Sequence, residues 1–377
     1  MKKIIVFALT FMLFFSSIGC SDWTEFEAEQ FVNDKGFSEQ YYANLRRWKS
    51  ETKTGIAFGW FGFWSGKGTS MKNCLIGLPD SMSLVAIWGA WMPSTLTPEK
   101  ISDLKQVQTQ KGTKVVCTTI TGRVGNGIIA DIYDYDLKEQ LFGWKKEWNT
   151  SSTWVSSDPQ ERALQEESIR SYARALVDSI NVCGYDGHDI DNEPTVGGAE
   201  CRGELSNREN FHIFVSELGK YFGPKSGTDK ILVIDGEVTS LNPETTVYFD
   251  YFIQQNYGNM SESSLNYRMR SMIAKTKDFM TAEETVNRYI STVNFESYSP
   301  TGGGSFRMAD GTRCDAMYGH AMWKPVVTDI ETGDTISCHK GGFGAYHVEM
   351  EYKVSGKEGT YPWTRTALRA VHPPKFN

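Results

Sequence analysis

Three carboxylates recur at every second position near the middle of this chain: Asp189, Asp191 and Glu193, within Asp186-Gly-His-Asp189-Ile-Asp191-Asn-Glu193. On an extended strand, side chains alternate between faces, so residues two apart line one face. All three acids then point the same way. Like charges packed together oppose one another's ionisation and drive the pKa values apart. A carboxyl kept protonated near neutral pH is what cleavage of a glycosidic bond asks of its general acid. A second carboxylate beside it attacks or activates water. The alternative is a solvated acidic loop with no chemistry.

The elements that must hold these acids are legible around them. Apolar, strand-like runs fall at 55–63, 83–91, 114–121, 184–193, 231–238, 248–257, 292–298 and 342–351, with helical stretches between. The clearest helix opens at Asp158-Pro159-Gln-Glu161, with a cap, Pro at the first helical position and Glu at the third. Ile169, Tyr172, Ala173, Leu176 and Ile180 follow at helical spacing. Strands alternating with helices predict a parallel sheet, and eight repeats predict an α/β fold of (β/α)8 TIM-barrel type. The 377 residues suffice for one such barrel of about 250 residues plus insertions. The acids then fall at the C-terminal end of strand four, the face on which barrels build their sites. Two βα connections read as long insertions: 122–157, with Trp144, Trp148 and Trp154, and the Gly-rich 299–340. Edits within 299–340 are expected to alter ligand preference more than stability. A last helix is predicted over 363–371, stopped by Pro373-Pro374.

The acid stretch resembles the signature of glycoside hydrolase family 18, Asp-Gly-x-Asp-x-Asp-x-Glu, matched by Asp186, Gly187, Asp189, Asp191 and Glu193. His188 and Asn192 replace an apolar residue and an aromatic one common in the family, and both are predicted to face away from the acids. The resemblance implies the same barrel and a mechanism in which the substrate's own acetamide is the nucleophile. It implies that Glu193 is general acid and then base. Asp191 would orient the acetamide and stabilise the oxazolinium ion, and Asp189 would share a proton with Asp191. Strand six ends Gln255-Asn-Tyr257. This resembles the Gln-x-Tyr of the family's endoglycosidases more than the Met-x-Tyr of its chitinases, with Tyr257 holding the acetamide carbonyl. Strand three offers Thr119-Ile-Thr121-Gly122 where chitinases read Ser-x-Gly-Gly. Strand eight carries Tyr346 where chitinases place a Trp. The expected activity is endo-β-N-acetylglucosaminidase, acting on an N-acetylated glycan or glycoprotein. The alternatives are a chitinase and a non-catalytic glycan-binding protein; inactive relatives of the latter kind usually lose the terminal Glu, which is present here.

Other polar residues stand at strand ends: Asp235 and Glu237, Glu296, Glu349 and Glu351. Each could bind sugar hydroxyls or form a structural ion pair, and Glu237 is taken as the binding candidate. Aromatic residues make up 13% of the chain, which suits sugar stacking as well as core packing. Trp60, Phe63 and Trp64 end strand one, and Trp88 and Trp91 end strand two. Of these, Trp60 and Trp88 are the stacking candidates.

The net charge of −7 argues against a nucleic-acid partner. No spacing of His and Cys resembles a metal site, no cofactor is implied, and a monomer is expected. Residues 1–20 read as an export signal, with Lys2 and Lys3 before an apolar run too short to span a membrane. Its end, Ser17-Ile18-Gly19-Cys20, resembles a bacterial lipoprotein cleavage site. Cys20 would become a lipidated N-terminus, Ser21 suits outer-membrane sorting, and the expected location is the outer membrane at the cell surface. Residues 21–50 would form a tether and first helix, and 51–377 the barrel. The six remaining cysteines allow fifteen full pairings, and Cys117 and Cys183 read as free core residues.

Overall fold

A computed structural model describes residues 37–373, except 329–332 and 334. The expected export signal, Cys20 and the tether up to residue 36 lie outside the described residues, as does Pro374. Residues 37–44 belong to a separate N-terminal unit and begin helix α1 (Glu39–Glu51); residues from 45 onward form the second unit.

Among the described residues, eight parallel strands close a barrel: β1 (Ile56–Phe61), β2 (Met82–Ile87), β3 (Lys114–Ile120), β4 (Gly187–Asn192), β5 (Ile231–Gly236), β6 (Tyr251–Gln255), β7 (Tyr289–Asn294) and β8 (Gly342–Tyr346). They stand in sequence order, and β8 pairs back onto β1. All eight predicted strands are present. The seventh starts earlier than its apolar run implied and stops at Asn294, whose side chain caps the helical turn Phe295–Tyr298.

Period-two alternation sorts the strands into two layers. Ile56, Phe58, Leu84, Val116, Val233 and Ile253 fill the barrel interior. Ala57, Val85, Cys117, Ile190, Leu232 and Phe252 face outward into the layer packed by helices. Those helices are α2 (Pro98–Gln106), α3 (Tyr135–Phe142), α4 (Pro159–Cys183), α5 (Arg208–Leu218), α6 (Glu262–Thr276), α7 (Ala282–Asn287), α8 (Ala316–Met322) and α9 (Pro362–Val371). Helix α4 starts where its signals predict: the Asp158 carboxylate accepts from Gln160 N and Glu161 N, both at 2.9 Å. It ends at Gly184, in left-handed conformation at φ 80°. Ile169, Tyr172, Ala173, Leu176 and Ile180 form its buried stripe.

The acid motif begins with two residues of structural use. Asp186 accepts from Val115 N at 2.9 Å and Gln108 Nε2 at 2.8 Å, and pairs with Lys114 Nζ at 3.2 Å. These bonds lock the entry of β4 against β3. At Gly187 (φ 152°), an added Cβ would sit 1.9 Å from Ile231 O on β5, so only glycine permits this strand spacing.

The described residues of both insertions are built structures rather than free loops. In 122–157, Trp144 and Trp148 are buried in the outer core and Trp154 is partly buried against it. Lys138, fully buried, reaches Glu204 Oε1 at 3.3 Å, and the same oxygen accepts from Val124 N at 2.8 Å. In 299–340, the hairpin Ser305–Arg307/Arg313–Asp315 leads into α8, whose His320 Nδ1 lies 2.9 Å from Ser291 Oγ on β7. The expectation that edits within 299–340 alter ligand preference more than stability therefore fails for the segments that carry Phe306, Ala316, Met317 and Ala321, which are core.

Candidate active site

The alternation of β4 carries Asp189 and Asp191 into the barrel interior and turns His188, Ile190 and Asn192 outward. His188 Nδ1 lies 3.0 Å from Cys117 O and its Nε2 3.1 Å from Thr119 Oγ1. Asn192 Nδ2 donates to Ser240 Oγ at 3.1 Å. Both motif departures thus point away from the acids, as the spacing predicts.

Asp189 has no solvent exposure. Its Oδ2 accepts from Trp60 Nε1 at 2.9 Å and from Thr118 Oγ1 at 2.8 Å. Beside it stands Asp235 of β5, also wholly buried, at the register position opposite Asp191. Asp235 accepts from the same Trp60 Nε1 at 3.1 Å and from Gln255 Nε2 at 3.3 Å. Glu193 follows the last residue of β4 and is half-buried at the C-terminal mouth.

Four carboxyls therefore share one region, and among the described residues none of them pairs with Lys, Arg or His. Burial pushes Asp189 up to about 6, against the pull of the Thr118 and Trp60 hydrogen bonds. Burial pushes Asp191 up to about 7, with the charges of Glu193 and Asp189 adding to it. Asp235 is driven well above the ordinary carboxyl range, first by burial and then by Asp191 and Asp189. The three buried aspartates are thus all driven upward, chiefly by burial.

An aromatic wall faces the acids. Tyr257, just beyond β6, lies 6.1 Å from the Tyr346 ring at the end of β8. Tyr346 meets the Trp88 ring edge-on at 5.6 Å. Burial pushes the Tyr346 hydroxyl up to about 12 and the Tyr257 hydroxyl well above its ordinary value, so both are neutral donors near pH 7. Asp189, Asp191, Glu193, Gln255, Tyr257, Trp88 and Tyr346 thus gather in one place.

Two sequence assignments change. Trp60 is 1% exposed, so its indole lies beneath the acids as a hydrogen-bond donor and presents no ring face to a sugar. Glu237 leaves the strand line because the chain turns at Gly236 (φ 80°). Its carboxylate instead accepts from Thr195 N at 2.8 Å, Val196 N at 2.8 Å and Thr195 Oγ1 at 2.6 Å. It braces the loop that follows Glu193. Glu349 and Glu351 are likewise structural: Glu349 holds Gly62 N at 3.0 Å and His347 Nδ1 at 2.6 Å, while Glu351 binds Trp363 N at 2.9 Å in the first turn of α9. Glu296 is exposed, while Trp64 and Trp91 are buried. Phe63 is exposed at the end of β1, with its ring against His347 at 5.3 Å.

Sequence reasoning underweighted Asp235 and missed Thr118. Asp235 interrupts the apolar run 231–234, and its parity matches Val233 of the interior layer. Thr118 shares parity with interior Val116. Those were the available signals. Which strand neighbours which acid needed the register.

A family model described as glycoside hydrolase family 18, BT1044-like, matches residues 21–370. Endo-β-N-acetylglucosaminidase F2 of Elizabethkingia meningoseptica is 26% identical over 217 residues, covering 54% of this chain and 51% of that protein. The match thus spans about half the length of this relative. A solved glutamate-to-glutamine variant of BT1044 is 27% identical, with 90% of this chain and 95% of that one covered at a TM-score of 0.66. The apo structure of an endo-β-N-acetylglucosaminidase from Cordyceps militaris shares the fold, at 20% identity, 90% and 98% coverage and a TM-score of 0.56.

Proposed function

Since this chain belongs to glycoside hydrolase family 18, we propose that it cleaves the β-1,4 bond between the two core N-acetylglucosamines of N-linked glycans. The reaction retains configuration and uses the substrate's acetamide as nucleophile. The observation that carries this reading is the acid cluster. Asp191 and Glu193 sit at the barrel mouth in front of buried Asp189 and Asp235, with no paired cation among the described residues. Such a site favours a positive charge developing in front of it. Glu193, half-buried at the mouth, is the group that reaches the leaving oxygen as acid and then activates water. Asp191 accepts the acetamide N–H and stabilises the oxazolinium ion. Tyr257 donates to the acetamide carbonyl, and Trp88 and Tyr346 wall the sugar.

The choice of N-glycan over chitin rests on Gln255-Asn-Tyr257, on Tyr346 in place of a Trp, and on the name borne by the Elizabethkingia relative. The test is mass spectrometry of N-glycosylated proteins and of chitin oligomers after incubation with the purified chain. Released glycans that leave a single N-acetylglucosamine on Asn are expected. Efficient release of chitobiose from chitin, with glycoproteins untouched, would make the chain a chitinase. No cleavage of either would leave the non-catalytic binding reading.

A further inference from the structure

Three buried carboxyls, Asp189, Asp191 and Asp235, compete for very few donors. Trp60 Nε1 is shared between Asp189 and Asp235, Thr118 Oγ1 serves Asp189, and Gln255 Nε2 serves Asp235. Asp189 Oδ1 and Asp191 Oδ1 receive no N–H or protein hydroxyl, although both are buried. A buried carboxylate oxygen left bare is costly, and the remaining donor available among these residues is a carboxyl O–H. Asp235 stands opposite Asp191 in the β4–β5 register and shares Trp60 Nε1 with Asp189, so it neighbours both other acids.

The donors are unequally shared. Asp189 accepts from Thr118 Oγ1 at 2.8 Å and Trp60 Nε1 at 2.9 Å. Asp235 accepts from the shared Trp60 Nε1 at 3.1 Å and from Gln255 Nε2 at 3.3 Å, so Asp189 is the better supplied of the two as a carboxylate. The groups facing Asp235 are Asp189, Asp191 and Glu193 from β4 and its loop, Trp60 from β1, and Gln255 and Tyr257 from β6. None of these carries positive charge.

We propose that Asp235 is a positioning residue that keeps a proton at neutral pH and donates it in a hydrogen bond to the Asp191 carboxylate. That bond favours the ionised form of Asp191 and holds it in one rotamer, ready for the acetamide. Asp189 is the charged anchor behind them, held by Trp60 and Thr118, and is not the proton's home. This rests on the reading that Asp191 engages the substrate.

Infrared spectroscopy of the chain labelled with 13C at the aspartate side-chain carboxyl reads the proton directly, whatever the substrate. At pH 8, a labelled C=O band of a protonated acid is expected in the wild type, absent from Asp235→Asn and retained in Asp189→Asn. Lack of that band in the wild type at pH 8, its survival in Asp235→Asn, or its loss in Asp189→Asn would each overturn the proposal. Should Asp235→Asn fail to fold, the wild-type titration decides alone: one labelled acid band must outlast the others between pH 5 and 8. Kinetics separate positioning from bulk. An amide still donates to Asp191, so Asp235→Asn should retain kcat within about tenfold, whereas Asp235→Ala should lose about a hundredfold. Equal losses in the two variants would contradict a fixed donor. A wild type that cleaves no N-acetylglucosaminide would sink the proposed function, while the infrared result would still place the proton.

Discussion

At the scale of single residues, the site depends on how few charges the barrel interior stabilises. Glu193→Gln preserves shape and removes the transferable proton. We expect turnover to fall by about two or more decades, with glycan binding retained in calorimetry. Asp191→Asn should cripple hydrolysis yet process a donor supplied already as an oxazoline; equal failure on both substrates would remove Asp191 from its role. The same groups set a pH dependence of stability. Asp189 and Asp191 have folded values of about 6 and 7, above their ordinary 3.8. The native state therefore binds more protons than the unfolded one, so this contribution is complete below about pH 4 and is lost as pH rises through 6 to 7. The acids titrate as a coupled set, so the fall between pH 5 and 8 belongs to the cluster, with Asp191 contributing to it. Urea melts of Asp191→Asn at these two pH values should show a correspondingly smaller fall than the wild type. His188 and Asn192 could be assigned an outward direction from parity alone. Trp60 could not, because its exposure depends on residues far away in the chain.

At the scale of elements, two braces carry the site. Glu237 joins the end of β5 to the loop after Glu193 through three hydrogen bonds. Glu237→Ala should lower kcat by about tenfold or more while moving the melting temperature little, because the loop that carries Glu193 loses its fixed position. The second brace holds the 122–157 insertion. Lys138 and Glu204 are both fully buried and lie 3.3 Å apart. Lys138→Met should cost about 3 kcal/mol in urea unfolding by leaving Glu204 under-compensated, and adding Glu204→Gln should recover part of it. The start of α4 was readable because its cap, Pro and buried stripe are local. The β7 end was not, because Asn294 both closes the strand and caps the next turn.

At the scale of the whole molecule, address and substrate choice remain proposals with clear tests. Among the described residues no helix is long and apolar enough to cross a membrane. We propose anchoring through a lipidated Cys20, so Cys20→Ser should move the protein from the membrane fraction to the soluble one; unchanged fractionation would end that idea. The eight strands, the α/β class and the acid motif were set by the sequence itself, because strand parity, helix caps and residue spacing act over a few neighbouring residues. The tertiary structure decided what depends on closing the ring. Closure brings Asp235 of β5, Trp60 of β1 and Thr118 of β3 against Asp189, while packing outside the barrel buries Trp144 and Trp148 in the outer core. The physical reason is that a pKa, a hydrogen-bond donor and a sugar-facing ring are properties of neighbours in space. Here those neighbours stand up to 175 residues apart along the chain.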